Sequence, residues 1–253
     1  MKKRRWFSLF LSFALLLPLF SLTSADAYED FTLDAKAGLL IEADTGEILY
    51  EKNAHQENFP ASLTKVMVAL LVFEAIDEGK IALTDSVTAT ESAFEGLSSD
   101  GSTANIVPGE TMTVEQLLNC MLIVSANEAC NILGETLCGS VDAFVARMNE
   151  RAAELGCEHT HFANATGLHN SQHYTTAWDL YLITREALKH DKFMEICNSK
   201  SYTVPATNMT DKPRELHSTN FLISNWRARG YVYRDAQGIK TGSTPEAGYC
   251  LIS

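Results

Sequence analysis

The sequence predicts a mixed α/β protein. An antiparallel sheet is drawn from both ends of the chain and flanked by helices, with a helical sub-domain inserted between. Three observations predict it. β-prone runs bounded by turn residues lie at residues 38–52 and again beyond residue 201. Capped runs of helical period fill most of the interval from Ser62 to Leu188. The 253 residues suffice for one large domain whose core needs no disulfide staples.

Each element has a local reason. Residues 38–52 read as a β-hairpin turning at Asp44-Thr45-Gly46. Pro60 precedes a helix expected from Ser62 to about Glu78, closed by Gly79. Residues 81–110, rich in Ser, Thr and Gly, read as loop with small strands. Thr113 is the expected N-cap of a helix over 114–123, and a second helix over 128–137 follows a break at Ser125. Ser140 caps a helix to Leu155, stopped by Gly156, and Thr176 caps one to about Leu188. Strands are then expected at 202–204, 231–233, 237–241 and 248–252. The last of these is still running at Ser253.

Residues 1–27 read as an export signal. Lys2, Lys3, Arg4 and Arg5 form a basic start, Trp6 to Leu22 is apolar, and Ala25-Asp26-Ala27 offers small residues for cleavage after Ala27. The competing reading is an uncleaved membrane anchor, because the apolar run approaches spanning length. Either way the folded part, residues 28–253, is expected outside the cytoplasmic membrane. The formal net charge is −12, and about −15 once the four cations and Asp26 of the leader are set aside. Such a surface argues against nucleic acid and against simple docking on anionic lipid. Six cysteines show neither a C-x-x-C nor a zinc-ribbon spacing. Most sit in apolar helical stretches, so buried thiols are expected in preference to a disulfide framework. His159, His161, His169 and His173 cluster in sequence, but a metal needs fixed ligand geometry and usually acidic or Cys partners, so structural or solvated histidines are expected there, with no metal.

Three short motifs carry the chemistry. They are Ser62-Leu63-Thr64-Lys65, Ser125-Ala126-Asn127 and Lys240-Thr241-Gly242. Each is weak alone, and Ser218-Thr219-Asn220 also fits the middle pattern. In this order and separation they mark serine enzymes that open an amide through an acyl-enzyme. A Ser hydroxyl needs a base to become a nucleophile. Three residues apart on a helix, Ser62 and Lys65 share a face, and Lys65 can act as base once burial and a neighbouring cation such as Lys240 lower its pKa. Ser125 can relay a proton to the leaving nitrogen, and Asn127 can hold a substrate amide. On the expected strand, Gly242 leaves room for a substrate backbone, Lys240 and Thr241 can bind a carboxylate, and the Ser243 N–H can join that of Ser62 around an oxyanion.

From about Ala35 to Ser253 the chain resembles the low-molecular-mass penicillin-binding proteins that are serine-type D-alanyl-D-alanine carboxypeptidases. The resemblance rests on the context of the motifs: residues 60–65, 125–129, 238–244 and 247–249. It rests also on Phe144-Val145-Ala146-Arg147-Met148-Asn149 and on Phe162-Ala163-Asn164-Ala165-Thr166-Gly167-Leu168. It implies the fold shared with serine β-lactamases, and acylation of Ser62 by stem peptides ending in D-Ala-D-Ala, with no cofactor. It implies that Lys65 is the base, that Ser125 and Asn127 form the second side of the cleft and Lys240 and Thr241 the third, and that β-lactams acylate the same serine. It also implies further strands, a carboxylate-binding basic residue and a membrane-binding helix beyond Ser253. The catalytic domain is therefore expected to be incomplete at that end, and membrane association is expected only through the N-terminal segment or such an anchor. A class A-like β-lactamase is the nearest alternative, but it needs a Glu four residues before an Asn, and neither Asn164 nor Asn170 has one. An inactive fragment that only binds wall peptide is the alternative of another class.

Overall fold

The computed structural model describes residues 32–253, so the expected export segment lies outside the described residues. Residues 36–253 form one unit; of the segment before it only 32–35 are described, without regular structure. The chain enters through a hairpin of β1 (Gly38–Ile41) and β2 (Ile48–Lys52), paired antiparallel from Gly38↔Lys52 to Ile41↔Ile48. Its turn is held by Glu42, whose carboxylate accepts from Thr45 N–H at 2.7 Å and Thr45 Oγ1 at 2.6 Å. Gly46 supplies the positive φ that closes it.

The helix expected from Ser62 is divided. Ala61–Thr64 form a 3-10 turn, and α1 (Lys65–Asp77) continues from it. Ten of the thirteen residues of α1 are buried, Lys65 among them, so this is a central helix surrounded by protein. A short ladder of β3 (Ser86–Thr88) and β4 (Thr111–Thr113) precedes α2 (Val114–Ile123). Thr113 and Gln116 close a reciprocal capping box at the start of α2. After a break at residues 124–126, α3 (Asn127–Cys138) runs to Gly139, whose φ of 81° ends it. Ser140 caps α4 (Val141–Glu154) through Ala143 N–H, and Thr176 caps α5 (Ala177–Ala187) through Asp179 N–H.

Beyond these, α6 (Asp191–Cys197) was not expected, and β5 (Ser201–Val204) finds an unexpected partner in β6 (Arg214–His217). The last hairpin joins β7 (Lys240–Thr244) to β8 (Gly248–Ile252), from Lys240↔Ile252 to Thr244↔Gly248. Strands at both ends thus flank a helical middle, as expected. Among the described residues they pair as four separate two-stranded ladders, because each strand closes on its neighbour in sequence. The expected strand at 231–233 is absent: Tyr231, Val232 and Tyr233 lie in an irregular, exposed segment with no ladder to join.

The core packs α1 against α2 and α3, with Phe144, Met148, Phe162 and Phe193 sealing it. Cys120, Cys130, Cys157 and Cys197 are buried thiols, and Cys138 and Cys250 are half-buried. A buried carboxylate, Glu110, is neutralised by Arg214 and accepts from Thr207 Oγ1, which ties β4 to β6.

Candidate active site

The site forms where α1, the α2–α3 break and β7 converge. Lys65 Nζ lies 2.9 Å from Ser62 Oγ, 2.8 Å from Asn127 Oδ1 and 2.5 Å from the Thr166 carbonyl. The ammonium has no solvent exposure, whereas Ser62 is half-buried at the surface of the cleft. Burial pushes the Lys65 pKa below its ordinary value, against the weaker pull of Cys130 and Glu128. Glu128 is itself turned away, accepting from Thr103 Oγ1 and Ala104 N–H.

A second set of contacts lies across the cleft. Lys240 Nζ is 3.1 Å from Ser125 Oγ and 2.7 Å from the Thr241 carbonyl. Thr241 Oγ1 is 2.6 Å from Thr219 Oγ1. Burial first, and the charge of Lys65 second, bring the Lys240 pKa down to about 7. Ser125 holds a φ of 65°, an uncommon state for a residue with a side chain. The break at 124–126 fixes it: Ala126 N–H donates to Cys120 O, and Asn127 N–H to Ser102 O.

Two glycines let the backbone segments meet. A Cβ at Gly242 would lie 2.9 Å from Ser62 N, and one at Gly167 would lie 1.9 Å from the Ala61 carbonyl. Strand β7 therefore runs directly past the Ser62 amide, with Ser243 next on it and exposed to solvent. Behind the serine, His173 accepts from Ala163 N–H at Nδ1, so its Nε2 carries the proton and donates to Thr64 Oγ1 at 2.7 Å. Thr64 in turn donates to the Ala61 carbonyl. Burial holds the His173 pKa at about 4, so this ring is a neutral structural part. His159, His161 and His169 make separate contacts with Glu57, Gln172 and Phe59.

The structure thus brings together Ser62, Lys65 and Asn127, and separately Ser125, Lys240 and Thr241, with Gly242 against Ser62. Two participants escaped the sequence reading. Thr166 contributes only its main-chain oxygen, which leaves no side-chain signature. Thr219 sits in the Ser218-Thr219-Asn220 stretch that matched the middle motif by type but occupies another place.

A buried lysine beside a half-buried serine, faced by a Ser–Lys pair and an edge strand, defines the class of active-site serine proteins with a lysine partner. The chain belongs to the D-alanyl-D-alanine carboxypeptidase family of peptidases, which it matches over residues 23–253. It is 40% identical to the D-alanyl-D-alanine carboxypeptidase DacF of Bacillus subtilis over 220 residues, 87% of this chain and 54% of that protein. It is 33% identical to DacC of Escherichia coli over 227 residues, 88% of this chain and 53% of that protein. The chain thus spans about half the length of these relatives. Among solved structures, a Streptomyces DD-transpeptidase superposes with a TM-score of 0.78 at 30% identity, covering 88% of this chain and 85% of that one. The fold is accordingly that of the serine β-lactamase-like DD-peptidases.

Proposed function

We propose that this protein removes the terminal D-Ala from wall stem peptides ending in D-Ala-D-Ala, through an acyl-enzyme on Ser62, outside the cytoplasmic membrane. The observation that carries this reading is the 2.9 Å approach of Lys65 Nζ to Ser62 Oγ at a lysine with no solvent exposure. In its neutral form Lys65 takes the Ser62 proton as Oγ attacks the penultimate carbonyl. The oxyanion faces the amides of Ser62 and Ser243. The C–N bond then breaks, and the leaving amine takes through Ser125 the proton that Lys65 received, which leaves Lys65 neutral again. Water, deprotonated by Lys65, hydrolyses the ester and restores Ser62. Asn127 holds a substrate amide, and Lys240 with Thr241 draws the terminal carboxylate to β7.

β-Lactams enter the same chemistry. On the loop that reaches Lys65, the group presented is the Thr166 carbonyl and not a carboxylate. This favours a lasting penicilloyl ester over β-lactamase turnover. Incubation with benzylpenicillin followed by intact-mass measurement tests the reading, with Ser62→Ala as control. A persistent adduct on the wild type alone is expected. A folded wild type that forms no adduct would overturn it.

A further inference from the structure

The segment from Phe221 to Gly238 departs from the site and returns to it. It begins one residue after Asn220, next to Thr219 on Thr241, and ends two residues before Lys240. Its base is built. Ile223 and Ser224 are buried, Leu222 and Ser224 donate their N–H groups to Asn220, and Gly238 N–H donates to Asn198 Oδ1. Its outer part is exposed and unlike the rest of this acidic chain. Trp226, Tyr231 and Tyr233 are each more than 60% exposed. Arg227, Arg229 and Arg234 are exposed, and none of the three pairs with a carboxylate of the described residues.

Trp226 is not a loose side chain. Its ring stacks on His217 of β6 at a centroid distance of 3.6 Å and an interplanar angle of 16°. One face is thus covered by protein while the residue stays 62% exposed. His217 stands two residues before Thr219, so its Cα is at most about 7 Å from that of the cleft threonine. A flat aromatic face braced by a ring stack beside the cleft, followed in the chain by the exposed Arg227 and Arg229, is a recognition surface for an uncharged ring carrying carboxylates nearby.

We infer that Trp226, braced by His217, forms a saccharide subsite of the cleft, with Arg227 and Arg229 taking carboxylates of the attached peptide. The occupant is the glycan-linked form of the substrate. Its sugar ring lies on the free face of Trp226 while its peptide runs to β7. A membrane surface fits less well, because the loop's two ends are fixed in the cleft and the remainder of the chain is strongly acidic.

This inference rests on the stem-peptide reading, and the test separates the two. Wild type, Trp226→Ala and Arg227→Ala/Arg229→Ala are compared for benzylpenicillin acylation, hydrolysis of a free pentapeptide, and hydrolysis of the same pentapeptide on its disaccharide. Acylation is expected to stay within about twofold in both variants, and free-peptide hydrolysis within about twofold in Trp226→Ala, whereas Arg227→Ala/Arg229→Ala gives up contacts to the peptide and should slow both peptides. Disaccharide-peptide hydrolysis is expected to fall about tenfold in kcat/KM, the size of one stacking contact. Binding of the disaccharide-peptide to Ser62→Ala, followed by Trp fluorescence, reads the subsite without catalysis, and Ser62→Ala/Trp226→Ala should lose that signal. For Trp226→Ala, equal loss on both peptides, unchanged hydrolysis of the disaccharide-peptide, or loss confined to binding of anionic phospholipid vesicles would overturn the subsite. Failure of penicillin acylation in the wild type would instead overturn the reading of the serine, whether or not the disaccharide-peptide binds.

Discussion

Lys240 Nζ lies 3.1 Å from Ser125 Oγ, although 115 residues separate them in sequence. The contact joins the last hairpin to the break between α2 and α3. It also places a second buried cation within electrostatic reach of Lys65.

That pair sets a pH signature. In the proposed mechanism Lys65 acts as base only when neutral, so acylation should slow as the pH falls and the pair gains its second proton. In the same proposal Lys240 holds a carboxylate only when charged, and with its pKa brought down to about 7 the rate for carboxylate-bearing substrates should decline above neutrality. Lys240→Arg keeps its charge at every working pH. It should remove the decline above pH 7 and push the acid limb lower. Stopped-flow acylation between pH 5 and 10 checks this; identical profiles for the two proteins would remove the Lys240 charge from the mechanism.

Lys65→Arg keeps a cation but supplies no base. Acylation by benzylpenicillin should slow by roughly 10²–10⁴, the usual contribution of a positioned base. Rate constants from intact mass decide it, and a loss below tenfold would assign the base elsewhere.

The positive φ of Ser125 separates strain from chemistry. Ser125→Gly and Ser125→Ala remove the same hydroxyl, so both should slow turnover alike. Only glycine relaxes the left-handed backbone, and the Gly variant should be more stable than the Ala variant by about 1 kcal/mol. Urea denaturation of the two proteins reads the difference directly.

His173 predicts acid sensitivity. Its folded pKa, about 4, is depressed from the ordinary 6.5. The unfolded chain therefore binds the proton first as the pH falls. Stability from this group is complete above 6.5 and is lost between 6.5 and about 4, by up to about 3 kcal/mol. His173→Gln should flatten that part of the stability–pH curve.

Gly167→Ala would force a Cβ to within 1.9 Å of the Ala61 carbonyl, at a backbone φ of 84°. A loss of about 2 kcal/mol or more is expected. Because Ala61 precedes Ser62, the proposed nucleophile, acylation should also slow in protein that remains folded. Thermal unfolding and penicillin labelling, run on the same sample, test both effects.

Much of this was readable from the chain. Thr113, Ser140 and Thr176 announced their helices because a cap is a local event between near neighbours. The hairpin at 38–52 declared itself through its turn. Strand β6 and helix α6 did not. The first owes its conformation to β5 and to the Glu110–Arg214 ion pair across the molecule, and the second, at seven residues, is too short for a periodic signal. Tyr231–Tyr233 misled for the complementary reason, since β propensity reports packing on a half-buried surface and these residues have none. The three motifs gave the site's side chains, but which contacts which was invisible: Asn127 turned out to be a partner of Lys65.

The third partner of Lys65 is a peptide oxygen. Every amino acid carries that atom, so no exchange of side chain at Thr166 can delete it. Serine there keeps the buried hydroxyl that bonds Asn164 Oδ1 and the Leu168 N–H and should leave the lysine's surroundings intact, alanine or valine gives up both bonds, and the neighbouring Gly167 tolerates nothing larger. Asn164 ties the turn together, accepting from Thr166 and Gly167 and donating to the Leu168 carbonyl, so the oxygen that faces Lys65 is inherited through the shape of the loop and not through the identity of its own side chain.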